Sequence, residues 1–162
     1  MKSLLNSLPL ILPIAQAWAE KQEIIISQMG TALTESELDD ARRAGVAQPE
    51  KIRVVRVEAL PRPESEDLMF LARQMGLFST ESSGLAIGYG ICLPPSVWED
   101  RYRLAHECVH VSQYERHGSI QAFLAAYLRE CIDPGYPFGH MEQEAIRVAK
   151  DICKASVALP TK

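Results

Sequence analysis

The sequence predicts an α+β domain, mainly helical with a few short strands, and three observations carry that expectation. Capping patterns and glycine stops bracket stretches whose apolar residues recur at helical spacing. Two stretches, KIRVVRVEAL and GLAIGYGICL, suit strands instead. A chain of 162 residues with 47% hydrophobic composition is long enough for one core and too short for two comfortable ones. Residues 1–162 are therefore expected to form a single domain.

The opening stretch, MKSLLNSLPLILPIAQAWAEKQ, has features of a signal peptide: a lysine, an apolar run, and an A-x-A-like site at Ala15-Gln16-Ala17 or Ala17-Trp18-Ala19. Against that reading, Pro9 and Pro13 interrupt the run, and apolar positions continue through Ile24, Ile25, Ile26 and Met29. We read residues 1–30 as a helix that opens the domain, packs on its core and closes near Gly30. The matching expectation is a cytoplasmic protein; export, with residues 1–19 acting as a signal peptide, is the alternative. No stretch reaches the ~20 apolar residues of a membrane span.

Thr34-Glu35-Ser36-Glu37 is a capping-box pattern and should start a short helix that stops at Gly45. Lys51 to Leu60 alternates charged and apolar residues, as a strand with one buried face would, and Leu60-Pro61-Arg62-Pro63 ends it. Glu64 to Gly76 reads as a helix with Leu68, Leu71, Ala72 and Met75 on one face. Gly84 to Leu93 is read as a second strand, stopped by Pro94-Pro95. Ser96 with Glu99 offers another capping box, for a helix from about Val97 to His117 ending at Gly118. A further helix buries Ile120, Phe123, Leu124, Tyr127 and Leu128. Asp133 to Pro137 is a turn, and His140 to about Ala158 is the last helix.

Composition excludes some functions. The formal charge is −4 and the basic residues are scattered, so no stripe could track a phosphate backbone and nucleic acid is not an expected partner. The cysteines, Cys92, Cys108, Cys131 and Cys153, form no C-x-x-C pair and are read as mostly buried free thiols.

The chemistry is concentrated in HECVH. His106 and His110 stand four apart, so on a helix both imidazoles project from one face and can reach one ion. Glu107 stands beside the metal without binding it, where its carboxylate can take a proton from water. Two ordinary histidines on an amphipathic helix are the plain alternative. The neighbours Leu104, Ala105, Cys108, Val109 and Val111 carry no charge, however, which marks a buried helix. There, unpartnered polar groups would be costly and a metal offsets the cost. A catalytic zinc site takes a third protein ligand and keeps one position open. Glu142, Glu144 and His140, at the start of the last helix, are the candidates. The two glutamates lie ~200° apart around a helix, so only one can face the ion.

These residues resemble the gluzincin group of zinc metallopeptidases, in which two histidines of H-E-x-x-H and a glutamate from a later helix hold the metal. The likeness is closer to small bacterial zincin-like proteins with the patterns H-E-x-x-H-V-x-Q-Y-E-R-x-G, F-L-x-x-Y-L, G-Y-P and E-x-E-A. Here these are His106 to Gly118, Phe123 to Leu128, Gly135 to Pro137 and Glu142 to Ala145. Upstream, the likeness extends to Gly45 to Arg53 and Gly84 to Ile91. It implies zinc held by His106, His110 and Glu142, the glutamate three before alanine; the thermolysin arrangement would select Glu144. It further implies a zincin-like fold with a small sheet over the active-site helix, its edge strand, Gly84 to Leu93, running along the cleft. A peptide or protein substrate could bind there by strand addition. Tyr89, Tyr114, Tyr136 or His140 could stabilise the transition state.

The resemblance thus implies a zinc metallopeptidase with Glu107 as general base. The alternative is a non-catalytic metal-stabilised binding or regulatory protein. Gln113 to Arg116 read as a solvated face, unless Gln113 or Glu115 holds the second nitrogen of a ligand histidine.

Overall fold

The computed structural model describes residues 2–78 and 84–155, which form six α-helices and a three-stranded sheet. α1 (Lys2–Met29) buries Leu8, Ile11, Ala15, Ala19 and Ile26, a stripe at helical spacing. Pro9 and Pro13 lie inside this helix, four residues apart on its exposed side. The carbonyls they leave without an intrahelical donor therefore lie on the side open to water.

α2 (Glu35–Arg43) starts with both halves of its capping box: Glu37 N–H donates to Thr34 Oγ1 at 3.4 Å, and Thr34 N–H donates to the Glu37 carboxylate at 2.7 Å. It ends at Ala44, and Gly45 turns the chain away with φ of 93°. One face is anchored by Asp40, buried against Arg101 with two hydrogen bonds of 2.6 and 2.7 Å.

Both strand expectations need correcting. The first strand, β1 (Arg53–Arg56), is shorter than residues 51–60, because Pro49–Lys51 winds into a 3-10 turn. It pairs in parallel with a strand that ends at Leu93, where two prolines without N–H donors follow. Residues 84–93 are two strands rather than one: β2 (Leu85–Ile87) and β3 (Gly90–Leu93) form an antiparallel hairpin around Gly88-Tyr89. Gly88 takes φ of 57°, the left-handed conformation that a two-residue hairpin turn requires. The sheet order is β1-β3-β2, so β3 is central and wholly buried while β2 is an edge. Tyr89 N–H donates to the Glu23 carboxylate at 3.1 Å, fastening the hairpin to α1.

α3 (Glu66–Gln74) is capped by Ser65 and buries Leu68 and Ala72. α4 (Arg101–His117) begins four residues later than its expected start at Val97. Residues Pro95–Val97 form a 3-10 turn, and the cap is Asp100, whose carboxylate accepts from Arg103 N–H at 3.2 Å. Trp98 holds that turn to the sheet by donating to the Leu93 carbonyl at 2.9 Å. Gly118, with φ of 79°, ends α4.

α5 (Ile120–Glu130) follows at once, capped by Ser119. After an irregular turn at Cys131–Gly135, α6 (His140–Ala155) returns across α4. Residues 156–158, expected in this last helix, lie outside the described residues. Every residue of α4 from Ala105 to Gln113 is buried, so it is the central helix of an α+β domain. One apolar cluster joins α2, α4, α6 and the sheet; a second joins α1, α3 and α5. All four cysteines are free. Among the described residues, no helix is long and apolar enough to cross a membrane.

Candidate metal centre

The helical repeat places His106 and His110 one turn apart on the buried face of α4, and α6 brings Glu142 against them. His106 Nε2 and His110 Nε2 are 3.2 Å apart. Glu142 Oε1 lies 3.1 Å from the first nitrogen and Oε2 lies 3.3 Å from the second. Three tetrahedral ligands at the ~2.0–2.1 Å bond lengths typical of nitrogen and oxygen would sit ~3.3 Å from one another. The three side chains are 3 to 6% exposed, and this buried group could bind a metal ion.

Neighbouring residues set the orientation of His110 and Glu142, whereas the buried Nδ1 of His106 has no hydrogen-bond partner among the described residues. Gln113 Nε2 donates to the Met141 carbonyl and to Glu144, both at 2.8 Å, which turns Gln113 Oε1 toward His110 Nδ1, also at 2.8 Å. A neutral His110 must then carry its proton on Nδ1 and present the Nε2 lone pair to an ion. Gln113 is therefore buried and holds the second nitrogen of a candidate ligand histidine, the alternative to a solvated face that the sequence offered. Glu115 serves elsewhere: it accepts from Ala47 N–H, Gln48 N–H and the Tyr89 hydroxyl. Tyr127 of α5 donates to Glu142 Oε2 at 3.1 Å. Sequence reasoning counted Tyr127 only as part of a buried stripe; the signal it offered was a buried phenol, which needs an acceptor.

Of the three candidates for the third position, Glu142 is the one brought to the histidines. Glu144 points away, held by Arg116 at 2.6 and 3.0 Å and by Gln113. His140 is exposed at the start of α6. Among the tyrosines, Tyr89 and Tyr114 pack edge to face, and Tyr89 is committed to Glu115. Tyr136 lines the cavity beside the histidines, where burial pushes its phenol up to about 12.

Glu107 is 3% exposed and makes no hydrogen bond or ion pair among the described residues. Its carboxylate lies against the Gly84 backbone, where any side chain would collide with it. Both border a cavity whose floor is His106, His110 and Glu142 and whose walls are largely apolar, from Trp18, Leu68, Met75, Leu85, Phe123 and Leu128. Trp18 and Leu68 come from α1 and α3, and Met75 is the C-cap of α3, elements that the motif did not connect to the site.

The electrostatics couple the histidines to Glu142. Burial alone would raise the Glu142 carboxyl, yet hydrogen bonds from His106 and His110 hold it well below the usual carboxylate range. Burial would lower His110, and its hydrogen bond to Glu142 with the charge of Glu107 overrides that, raising it. In the metal-free protein, the stability from His110 is fully present below its ordinary pKa and is lost as pH rises through the raised one. That from Glu142 is present above its ordinary value and is lost as pH falls through the lowered one. A metal needs neutral imidazole, so it fills the site most readily where the proton leaves. The increase in Tm produced by a divalent ion is therefore expected to grow from about pH 6 to about pH 8. Thermal melts with and without metal measure it, and an increase that stays flat over that range contradicts the assignment.

The chain matches no protein-family model, no curated protein and no solved structure.

Proposed function

We propose that the chain is a zinc-dependent hydrolase of zincin type, and specifically a metallopeptidase. The observation that carries this reading is Glu107: a buried carboxylate, free of hydrogen bonds and ion pairs among the described residues, next to the His106–His110–Glu142 group and open to the same cavity. A purely structural metal site has no use for such a group, and burying it unpartnered costs stability.

His106, His110 and Glu142 would hold the ion, a two-nitrogen, one-oxygen set that suits zinc with a position left open. Zinc, when bound, acidifies water and polarises a carbonyl. Glu107 accepts the proton of the attacking water and delivers it to the departing amine. Tyr127 and Gln113 fix Glu142 and His110 in place. The edge strand β2 borders the cavity, so an extended peptide could add to it. Tyr136, which lines the cavity along with Tyr127 but, unlike Tyr127, does not hold Glu142, is the candidate donor to the developing oxyanion.

The test is exposure of the zinc-loaded protein to a diverse peptide mixture, with products read by mass spectrometry. Cleavage that stops with chelator and returns with zinc is expected. Zinc bound at full occupancy with every peptide intact at stoichiometric protein would instead assign the site a holding role.

A further inference from the structure

Arg103 stands one turn before His106 and Glu107 on α4 and borders the same cavity. It differs from the other arginines around α4. Arg101 is paired with Asp40, and Arg116 with Glu144. Among the described residues, the Arg103 guanidinium has neither a carboxylate nor a carbonyl partner, and its Nε is buried with no acceptor. Its Cζ lies over the Tyr102 ring, 5.8 Å from the centroid, a contact that uses none of its N–H donors.

A buried donor left without an acceptor costs ~1–3 kcal/mol, more when charged. The acidic groups at hand do not relieve it. Glu142 is committed to two histidines and Tyr127, and Asp100 accepts from the backbone N–H of Arg103, where it caps the helix. Glu107 forms no ion pair with it within the same cavity. An unpaired, planar, multiply donating cation beside an otherwise apolar wall is the arrangement that a ligand carboxylate completes.

We infer that Arg103 is the anion-binding residue of this cavity, and that it selects ligands carrying a carboxylate next to an apolar side chain. The inference deepens the proposed function, on which its meaning as substrate selection rests. It narrows the substrate class to peptides with a free carboxyl terminus or an acidic residue within about one helical turn of the reacting bond, ~5–6 Å. The apolar walls from α1, α3 and α5 take the neighbouring side chain.

The experiment measures dissociation constants by NMR titration for three probes: N-acetyl-leucine, N-acetyl-leucinamide and N-acetyl-glutamyl-leucinamide. Each is titrated into metal-free and zinc-loaded protein, as wild type, Arg103→Gln and Arg103→Lys. N-acetyl-leucine is expected to bind wild type at least about tenfold more tightly than its amide even without metal. Arg103→Gln should abolish that preference, and Arg103→Lys should keep part of it. Tight binding of the glutamyl probe as well assigns a side-chain carboxylate; binding of N-acetyl-leucine alone assigns the chain terminus.

Equal binding of all three probes, no binding of any probe, or a preference for the carboxylate probes that survives Arg103→Gln overturns the inference. A preference that needs zinc and survives the substitution puts the carboxylate on the metal, leaving the metal reading intact. A preference that depends on Arg103 in a protein that takes up no zinc would do the reverse.

Discussion

His106→Ala and Glu142→Ala are expected to hold under about one zinc per ten chains, and Glu144→Ala to hold as much as wild type, near its binding midpoint. Neighbouring groups that only orient a metal ligand are worth ~10–100-fold in affinity, and a ligand itself is worth more. Removing His106 leaves His110 and Glu142 with an incomplete set; removing Glu142 leaves two imidazoles with no charged ligand. Glu144 sits in the same helical turn as Glu142 and would serve equally well by spacing alone, but its oxygens are engaged by Arg116 and Gln113. Because Arg116 is largely exposed, breaking its pair should cost at most ~1 kcal/mol. The ligand variants also forfeit the stabilisation that zinc supplies, ~2.7 kcal/mol at a hundredfold excess over Kd. Elemental analysis of the purified variants reads the first effect and thermal melts read the second. Wild type that takes up no zinc, or a Glu144 variant that loses it while the Glu142 variant keeps it, would refute the assignment.

Local rules made much of the fold legible, because they act within a few residues. Thr34 and Glu37 cap each other wherever they start a helix, and Gly118 ends α4 since it alone there takes a left-handed φ without strain. The hairpin was misread because Gly88-Tyr89 reverses the chain inside what looks like one apolar run, although a glycine opening a two-residue turn is a known signal. Ser96 and Asp100 are both good caps, and the later start of α4 follows from the 3-10 turn at Pro95–Val97, which Trp98 closes by donating to the Leu93 carbonyl five residues back.

The site divides along the same line. The pairing of His106 with His110 follows from helix periodicity, which any reader of the sequence can use. The choice of Glu142 over Glu144 depends on which one Arg116 captures, a contact across two helices. Nor could spacing reveal that Tyr127 holds Glu142, that Arg103 is unpaired, or that α1 and α3 wall the cavity. Each is set by how helices far apart in sequence pack together.

Glu107→Gln is expected to keep its zinc and lose turnover by ~10²–10⁴-fold, the usual weight of a positioned general base. The amide has nearly the same shape, so it should fit against Gly84 as the carboxylate does, but it cannot accept a proton from water. The same change removes a buried negative charge that no hydrogen bond or ion pair offsets among the described residues, so the metal-free variant should melt no lower than wild type. These readouts separate the roles that Glu107 could have. Were it a metal ligand, zinc would be lost; were it structural, the melting temperature would fall. If turnover is unchanged while metal and stability are both kept, proton transfer must be assigned to another group in the cavity. Tyr136, whose phenol burial pushes up to about 12, stays protonated near neutrality and so cannot take that proton. With the histidines and Glu142 occupied by the ion, Glu107 is left as the cavity carboxylate able to do it.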